Sequence, residues 1–280
     1  MKATFGIPVR FHDYDDLTRG SNVNLAEFHL SYRDLGVDIE EWLESRQLKH
    51  KVVVHSPELF EGDHVMDLAS TDTSHLQTSR RHLERVISMA MQIGAASESD
   101  EHTRVVINSG GWSMNGFHAK AERDRGMNQV LEVLSEYADT YPNVRLLVQT
   151  MPPFPWHFGG QRFHNLFVAP EQLTSLRDAG FFTCLDLSHS QLAAAHLDRA
   201  LADFFIAGGG AIDHLHISDA LPPAEEGLPI GQGAIDFREV AALYREHCPS
   251  ASFIAEVWQG HKEDGLLTWL ALGELEKFGF

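Results

Sequence analysis

Eight short runs of β-branched, aliphatic and aromatic residues recur along the chain, and this regularity limits the possible folds more than any other feature. The runs span residues 4–9, 25–30, 51–55, 104–108, 144–149, 181–186, 212–217 and 252–257, each of strand length and nearly continuous in apolar character. Amphipathic segments separate most of them. Over residues 79–93, Leu83, Val86, Ile87, Ala90 and Met91 fall on one helical face while Arg80, Arg81, Glu84 and Arg85 lie mostly on the other. Residues 127–141 and 190–206 repeat that period. Strands apolar on both sides belong to parallel sheets covered by helices. Eight such units predict an α/β chain folded as one (β/α)8 TIM barrel over residues 1–280, close to the roughly 250 residues typical of that fold. A doubly wound sheet fits the alternation less well, because no glycine-rich dinucleotide fingerprint follows the first run.

Charge narrows the function. Lys and Arg number 22 against 40 Asp and Glu, a formal net charge of −18 that repels phosphate backbones. A general basic surface for nucleic acid is disfavoured, although a small site bridged to phosphate by bound cations survives that argument. Two cysteines, Cys184 and Cys248, are too few for a disulfide scaffold, and the first 30 residues show no basic segment leading into an apolar run. No run nears the roughly 18 apolar residues of a membrane span. A cytoplasmic chain without membrane or nucleic-acid partners is expected.

In a barrel the chemistry gathers at the C-terminal strand ends, so the residues there carry the argument. Strand three ends in His55, four in Asn108, five in Gln149, six in Asp186 followed by His189, seven in His216 followed by Asp219, and eight in Glu256. Carboxylate, imidazole and a second carboxylate on adjacent strand ends suit one divalent cation, Mn²⁺ or Mg²⁺ for the oxygen-rich part and Zn²⁺ or Co²⁺ where imidazole contributes. His216 lies nearer the rim than His214, which shares its face two residues earlier and is expected inside the barrel.

At these residues a resemblance appears. Val52-Val53-Val54-His55-Ser56-Pro57, Asp67-Leu68-Ala69-Ser70, Thr183-Cys184-Leu185-Asp186-Leu187-Ser188-His189, His214-Leu215-His216-Ile217-Ser218-Asp219, Gly231-Gln232-Gly233-Ala234-Ile235-Asp236-Phe237 and Phe253-Ile254-Ala255-Glu256 resemble the xylose isomerase-like barrel superfamily. That group holds sugar-phosphate isomerases and epimerases, ketose 3-epimerases, inosose dehydratases and endonuclease IV. The likeness covers most of the chain from about residue 50 onward. It implies a metal held by Gln149, Asp186, His216 and Glu256, where the ketose epimerases place Glu, Asp, His and Glu. Gln149 is the departure. An amide accepts no proton near neutral pH, so two-base epimerisation loses a partner while the carbonyl oxygen remains available to a metal or a hydroxyl.

The endonuclease IV comparison runs through His55, Asn108, Gln149, Asp186, His189, His216 and Glu256, with Glu225 and Gly227 in the loop after strand seven. Two neutral amides and a glycine argue against its three-zinc cluster. The resemblance therefore implies a metal-dependent isomerase or epimerase of a small sugar, sugar phosphate or polyol acting through an enediolate, a carbohydrate being its partner. Glu256 is the expected ligand and base. A nuclease of the endonuclease IV type and a non-catalytic sugar-binding barrel are the alternatives.

His189, three residues past Asp186 at a helix start, is expected to act in catalysis and to meet substrate hydroxyls, or a second metal. His55 and Asn108 are expected to face substrate, and Trp112 after Gly110-Gly111 to wall the site. Arg10 and Arg162 are the arginines best placed for a phosphate. The Gly231-Gln232-Gly233 turn offers its amides to an anion or merely closes a turn. The aromatic loop 151–165, with Phe154, Trp156 and Phe158, suits a cover over a small ligand and equally a homo-oligomer contact. The acidic stretches 13–16 and 97–101 are read as solvated loops.

Overall fold

The computed structural model describes residues 3–44, 46, 48–97, 102–157 and 159–280; positions 98–101 of the second acidic stretch and Phe158 of the aromatic loop lie outside them. Strands β1 (Phe5–Val9), β2 (Leu25–His29), β3 (Lys51–His55), β4 (Thr103–Ile107), β5 (Val144–Gln149), β6 (Phe182–Asp186), β7 (Ile212–Ile217) and β8 (Ser252–Ala255) close into a barrel in sequential order. Every neighbouring pair is parallel. The sequence-based barrel is the observed fold. Short helices α1 (Tyr14–Thr18) and α2 (Ile39–Leu43) follow the first two strands, and α3 (Thr73–Ala95), α4 (Lys120–Thr140), α5 (Pro170–Asp178), α6 (Leu187–Leu197), α7 (Leu201–Gly208), α8 (Phe237–His247) and α9 (Lys262–Phe278) cover the rest.

The period-two pattern explains why both strand faces are apolar. Val53 points inward, where Leu25, Val106, Leu147, Cys184 and Ile254 fill the barrel interior, while Val52 and Val54 pack outward in the layer beneath the helices. Gly6 on β1 is required by closure: a Cβ there would lie 2.0 Å from the backbone oxygen of Leu25. Helix α3 starts where Asp72 accepts from the amides of Ser74 and His75, and it buries Leu83, Val86, Ile87, Ala90 and Ile93. Met91, expected on that face, is instead 40% exposed, and Met89 is buried. The expected helix over 190–206 is two helices, because Asp198 adopts a left-handed conformation (φ 54°) that ends α6. Among the described residues no helix is long and apolar enough to cross a membrane.

The lower end of the barrel is closed by charge. Between β6 and β7 the register shifts by one residue, Thr183 facing Ile212 and Cys184 facing His214. Asp213, the residue skipped, meets Arg104 Nε at 2.8 Å and Arg145 Nη1 at 3.0 Å. Burial works against its charge, yet the two guanidiniums hold Asp213 below the usual carboxylate range. Its stabilising effect is therefore present above the unfolded-state value and disappears as pH falls through the folded one. Asp213→Ala removes the carboxylate shared by two largely buried guanidiniums and is expected to cost about 3–5 kcal/mol at pH 7. Urea unfolding at pH 7 and pH 3 checks this: the difference between native and variant should shrink at the lower pH.

Candidate metal and substrate site

At the C-terminal ends of the strands a cavity of about 420 Å³ opens among Arg10, His29, His55, Gln149, Asp186, His189, Glu226, Glu256 and Trp258. A larger cavity of about 610 Å³ lies toward the opposite end, between the start of β1 and α9; Phe5, Val23, Phe253 and Trp269 line it with the exposed Asp16, Arg19 and Glu276, and none of the strand-end residues reaches it. The rim cavity is where the chemistry gathers.

Strand register assembles a ligand set. Asp186 on β6 pairs with His216 on β7, and His216 pairs with Ile254 two residues before Glu256. His216 Nδ1 lies 2.7 Å from Glu256 Oε2 and 3.8 Å from Asp186 Oδ2. One ligand atom from each of the three residues falls within 4.8 Å of the others. The opposite ring nitrogen, Nε2, lies 2.9 Å from Glu27 Oε1. Glu27 on β2 is fully buried, and its second oxygen meets His214 Nε2 at 2.6 Å, whose Nδ1 in turn meets Ser252 Oγ at 2.7 Å. A carboxylate behind a histidine is the arrangement that fixes the ring in metal sites: Nε2–H donates to Glu27, and Nδ1 faces Glu256 and the cavity, where a cation would take the place of its proton.

Electrostatics agree. Burial opposes charge on His216, yet Cys184, Glu256 and Glu27 around it hold it well above the ordinary histidine range. Against the same burial penalty, His216, His29 and His55 hold Glu256 well below the carboxylate range, and His216 with His214 does so for Glu27. In the protein alone, a proton between His216 and two carboxylates balances the cluster. A divalent cation at that point would replace the proton with twice the charge and take a neutral imidazole and two carboxylates as ligands, a donor set suited to Mn²⁺, Co²⁺ or Zn²⁺.

Gln149 sits beside this set. Its Nε2 lies 3.2 Å from Asp186 Oδ2 and 3.2 Å from His216 Nδ1, and its Oε1 lies 3.2 Å from His55 Nε2. Burial and His29 push His55 down to about 4, so the ring is neutral near pH 7, and its Nδ1–H donates to Ser56 O at 2.8 Å. Its Nε2 is then an acceptor facing the acceptor Oε1. As placed, Gln149 Nε2 donates to Asp186 Oδ2; the reversed amide would donate to His55 but set Oε1 against that carboxylate, an arrangement that a cation between the two oxygens would stabilise.

Asp186 caps α6 through its Oδ1, which accepts from the His189 amide at 2.9 Å, leaving Oδ2 toward the cavity. His189 Nδ1–H donates to Thr150 O at 2.9 Å, and Nε2 stands 3.6 Å from Glu226 Oε2. Burial opposes charge on His189, but Asp186 and Glu226 raise it above its ordinary value. Asn108 also lines the cavity, where its Nδ2 donates to Glu58 Oε1 at 2.6 Å. Trp258 after β8 is 72% exposed at the mouth.

Of the residues expected at the site, His55, Asn108, Gln149, Asp186, His189 and Glu256 line the cavity, and His216 lies directly behind it. Trp112 and Arg162 do not line it. Trp112 borders a neighbouring cleft with Asp67 and His118, because β-pairing with His164 draws it aside. Arg162 lies in a hairpin, where its Nη1 donates to Gln161 O. The aromatic loop packs Phe154 against Phe117, Phe163 and His196, and among its described residues only Met151 reaches the cavity. Glu27, His29, Glu58 and Glu226 were missed. Period two carried the signal for the first two: Leu25, Glu27 and His29 share a face, and a carboxylate midway along a buried strand needs a partner.

The model of the xylose isomerase-like TIM barrel family matches residues 16–271. No curated protein matches the chain by sequence. Among solved structures, a D-tagatose 3-epimerase-like protein is 20% identical with a TM-score of 0.67, over 98% of this chain and 97% of its own. A Thermus thermophilus protein soaked with ZnCl2 is 18% identical with a TM-score of 0.69, over 99% and 98%. A family 2 AP endonuclease from Brucella melitensis is 16% identical with a TM-score of 0.64, over 96% and 98%. At these identities the likeness is one of fold.

Proposed function

Since the chain belongs to the xylose isomerase-like TIM barrel family, its matched segment running over residues 16–271, we propose that it is a divalent-metal-dependent isomerase or epimerase of a small sugar or related polyol. The observation that carries this reading is the convergence of Asp186, His216 and Glu256 within 4.8 Å at the base of an open cavity. Gln149 is the fourth, neutral contact. The cation would hold and polarise a hydroxyl and an adjacent carbonyl oxygen of the sugar. Glu256 is only half-buried, and its Oε1, turned toward His29 at 3.6 Å, is the base that takes the proton alpha to the carbonyl. Thr150 holds His189 by Nδ1, so Nε2 is presented to a substrate hydroxyl.

A proton can leave and return through Glu256 on one side, while the amide of Gln149 neither gives nor takes one. Aldose–ketose interconversion or single-face exchange suits this site better than two-base epimerisation. The nuclease alternative needs further metal ligands where Asn108 and Gly227 stand. The test is metal content by mass spectrometry together with solvent-deuterium uptake into a panel of ketoses and aldoses. One divalent ion per chain, lost in Asp186→Ala, and metal-dependent exchange are expected. Zinc-dependent incision of abasic duplex, abolished by His189→Ala, would reverse the ranking.

A further inference from the structure

The sequence offers a phosphate Arg10, Arg162 and the Gly231-Gln232-Gly233 turn, and of these Arg10 alone lines the cavity. The Gly231-Gln232-Gly233 turn looks like an anion cradle, but its amides already hold Asp219: Gly231 N and Gly233 N donate to Oδ2 at 2.9 and 2.8 Å. Ala220 N and Ile235 N donate to the other oxygen at 2.8 and 3.1 Å. This carboxylate is completely buried. The start of α6 at the cavity is capped by Asp186, as the His189 amide shows. Arg162 lies outside the lining. A bound phosphate needs such amides or paired guanidiniums.

What lines the cavity is of the opposite sign. Among the described lining residues Glu58, Asp186, Glu226 and Glu256 contribute four carboxylates and Arg10 the one guanidinium. A divalent cation added to Arg10 leaves one of the four carboxylates uncompensated, before His189 is counted. Glu226 is placed firmly: Glu225–Leu228 pairs with Asp219–Leu221, which Asp219 anchors, and Gly227 O accepts from Trp258 N at 2.7 Å. Burial, with Asp186, Glu58 and Glu256 nearby, lifts Glu226 above the usual carboxylate range against the pull of His189, the mark of a crowded anionic wall. His189 Nε2 and Glu226 Oε2, 3.6 Å apart, are too distant for a direct hydrogen bond and suitably spaced for one hydroxyl to bridge. Close contacts run from Glu256 through His216, Asp186 and His189 to Glu226, so this pair and the base stand at opposite ends of the cluster.

We infer that the site selects an uncharged, polyhydroxylated substrate over its phosphate ester, with Glu226 and His189 gripping a hydroxyl at the end remote from Glu256. The inference rests on the sugar-isomerase reading and names its substrate class. Calorimetry on Mn²⁺-loaded protein with D-fructose, D-tagatose and D-ribulose, each against its terminal phosphate ester, tests it. At least one neutral ketose is expected to bind about tenfold or more tighter than its ester, since a like charge at that wall is repelled. Glu226→Gln should reduce the preference by about tenfold, and Glu226→Lys should reverse it, with metal content unchanged in both. Esters that bind native protein as tightly as the ketoses, a preference unmoved in both variants, or no ketose binding at all would overturn the inference. Selective binding without deuterium exchange would leave it standing and sink the isomerase reading instead.

Discussion

Glu256→Gln is expected to lower solvent-deuterium exchange into a ketose by about 10²–10⁴-fold, the range over which a positioned acid–base group contributes. The same substitution removes a charged metal ligand, so divalent-ion affinity should fall with it. Gln149→Glu should do the reverse for the metal. It places a third carboxylate 3.2 Å from the atoms of Asp186 and His216 that now face an amide, and in the absence of a cation that carboxylate would add to local repulsion. The asymmetry is the diagnostic. Native protein should exchange one hydrogen from one face, Gln149→Glu should bind metal more tightly and gain exchange at the second face, and Glu256→Gln should lose both binding and exchange. Isotope patterns read by NMR at the exchanging carbon separate these outcomes. Exchange that survives Glu256→Gln would place the base elsewhere, and two-face exchange by the native protein would require an acid other than Gln149.

How much of this was legible in the sequence depends on the range of the interaction concerned. Strand positions were readable because alternation within five or six residues reports burial on both sides, and β2, β5 and β7 begin where the pattern says. The break at Asp198 was not readable, since a left-handed residue between two apolar segments preserves most of a helical period. Strand ends picked out Asp186, His216 and Glu256, which the structure brings together, because in a barrel those ends converge. Arg162 and Trp112 were misplaced for the opposite reason: loop residues carry no period, and their positions are set by pairing partners distant in sequence. Glu226 belongs to that class too, since only the folded hairpin, tied to Trp258 and Asp219, brings it against His189. Glu27 was legible in principle as a charge inside an apolar strand, but its three histidine neighbours come from β2 and β7.

That buried carboxylate should produce the second large effect. Glu27 is fully enclosed and accepts from both His214 and His216, so Glu27→Gln removes the charge that orients His216 toward the cavity. Loss of a group behind a metal-binding histidine typically weakens the metal about 10–100-fold, and breaking a buried charged cluster costs about 3–5 kcal/mol of stability. Since His216 and His214 hold the folded carboxyl well below the ordinary range, this stabilisation exists above the unfolded-state value and fades as acid approaches the folded one. Stability and metal affinity must be separated, and His214→Ala does so. It breaks the link from Ser252 to Glu27 while leaving the contact between Glu27 and His216, so it should cost stability yet retain most metal affinity. Thermal unfolding with and without saturating Mn²⁺ reads both quantities, because a ligand specific for the folded state raises the midpoint in proportion to its affinity. A metal-induced shift lost in Glu27→Gln and kept in His214→Ala assigns Glu27 the positioning of His216; equal losses in the two variants would reduce it to packing.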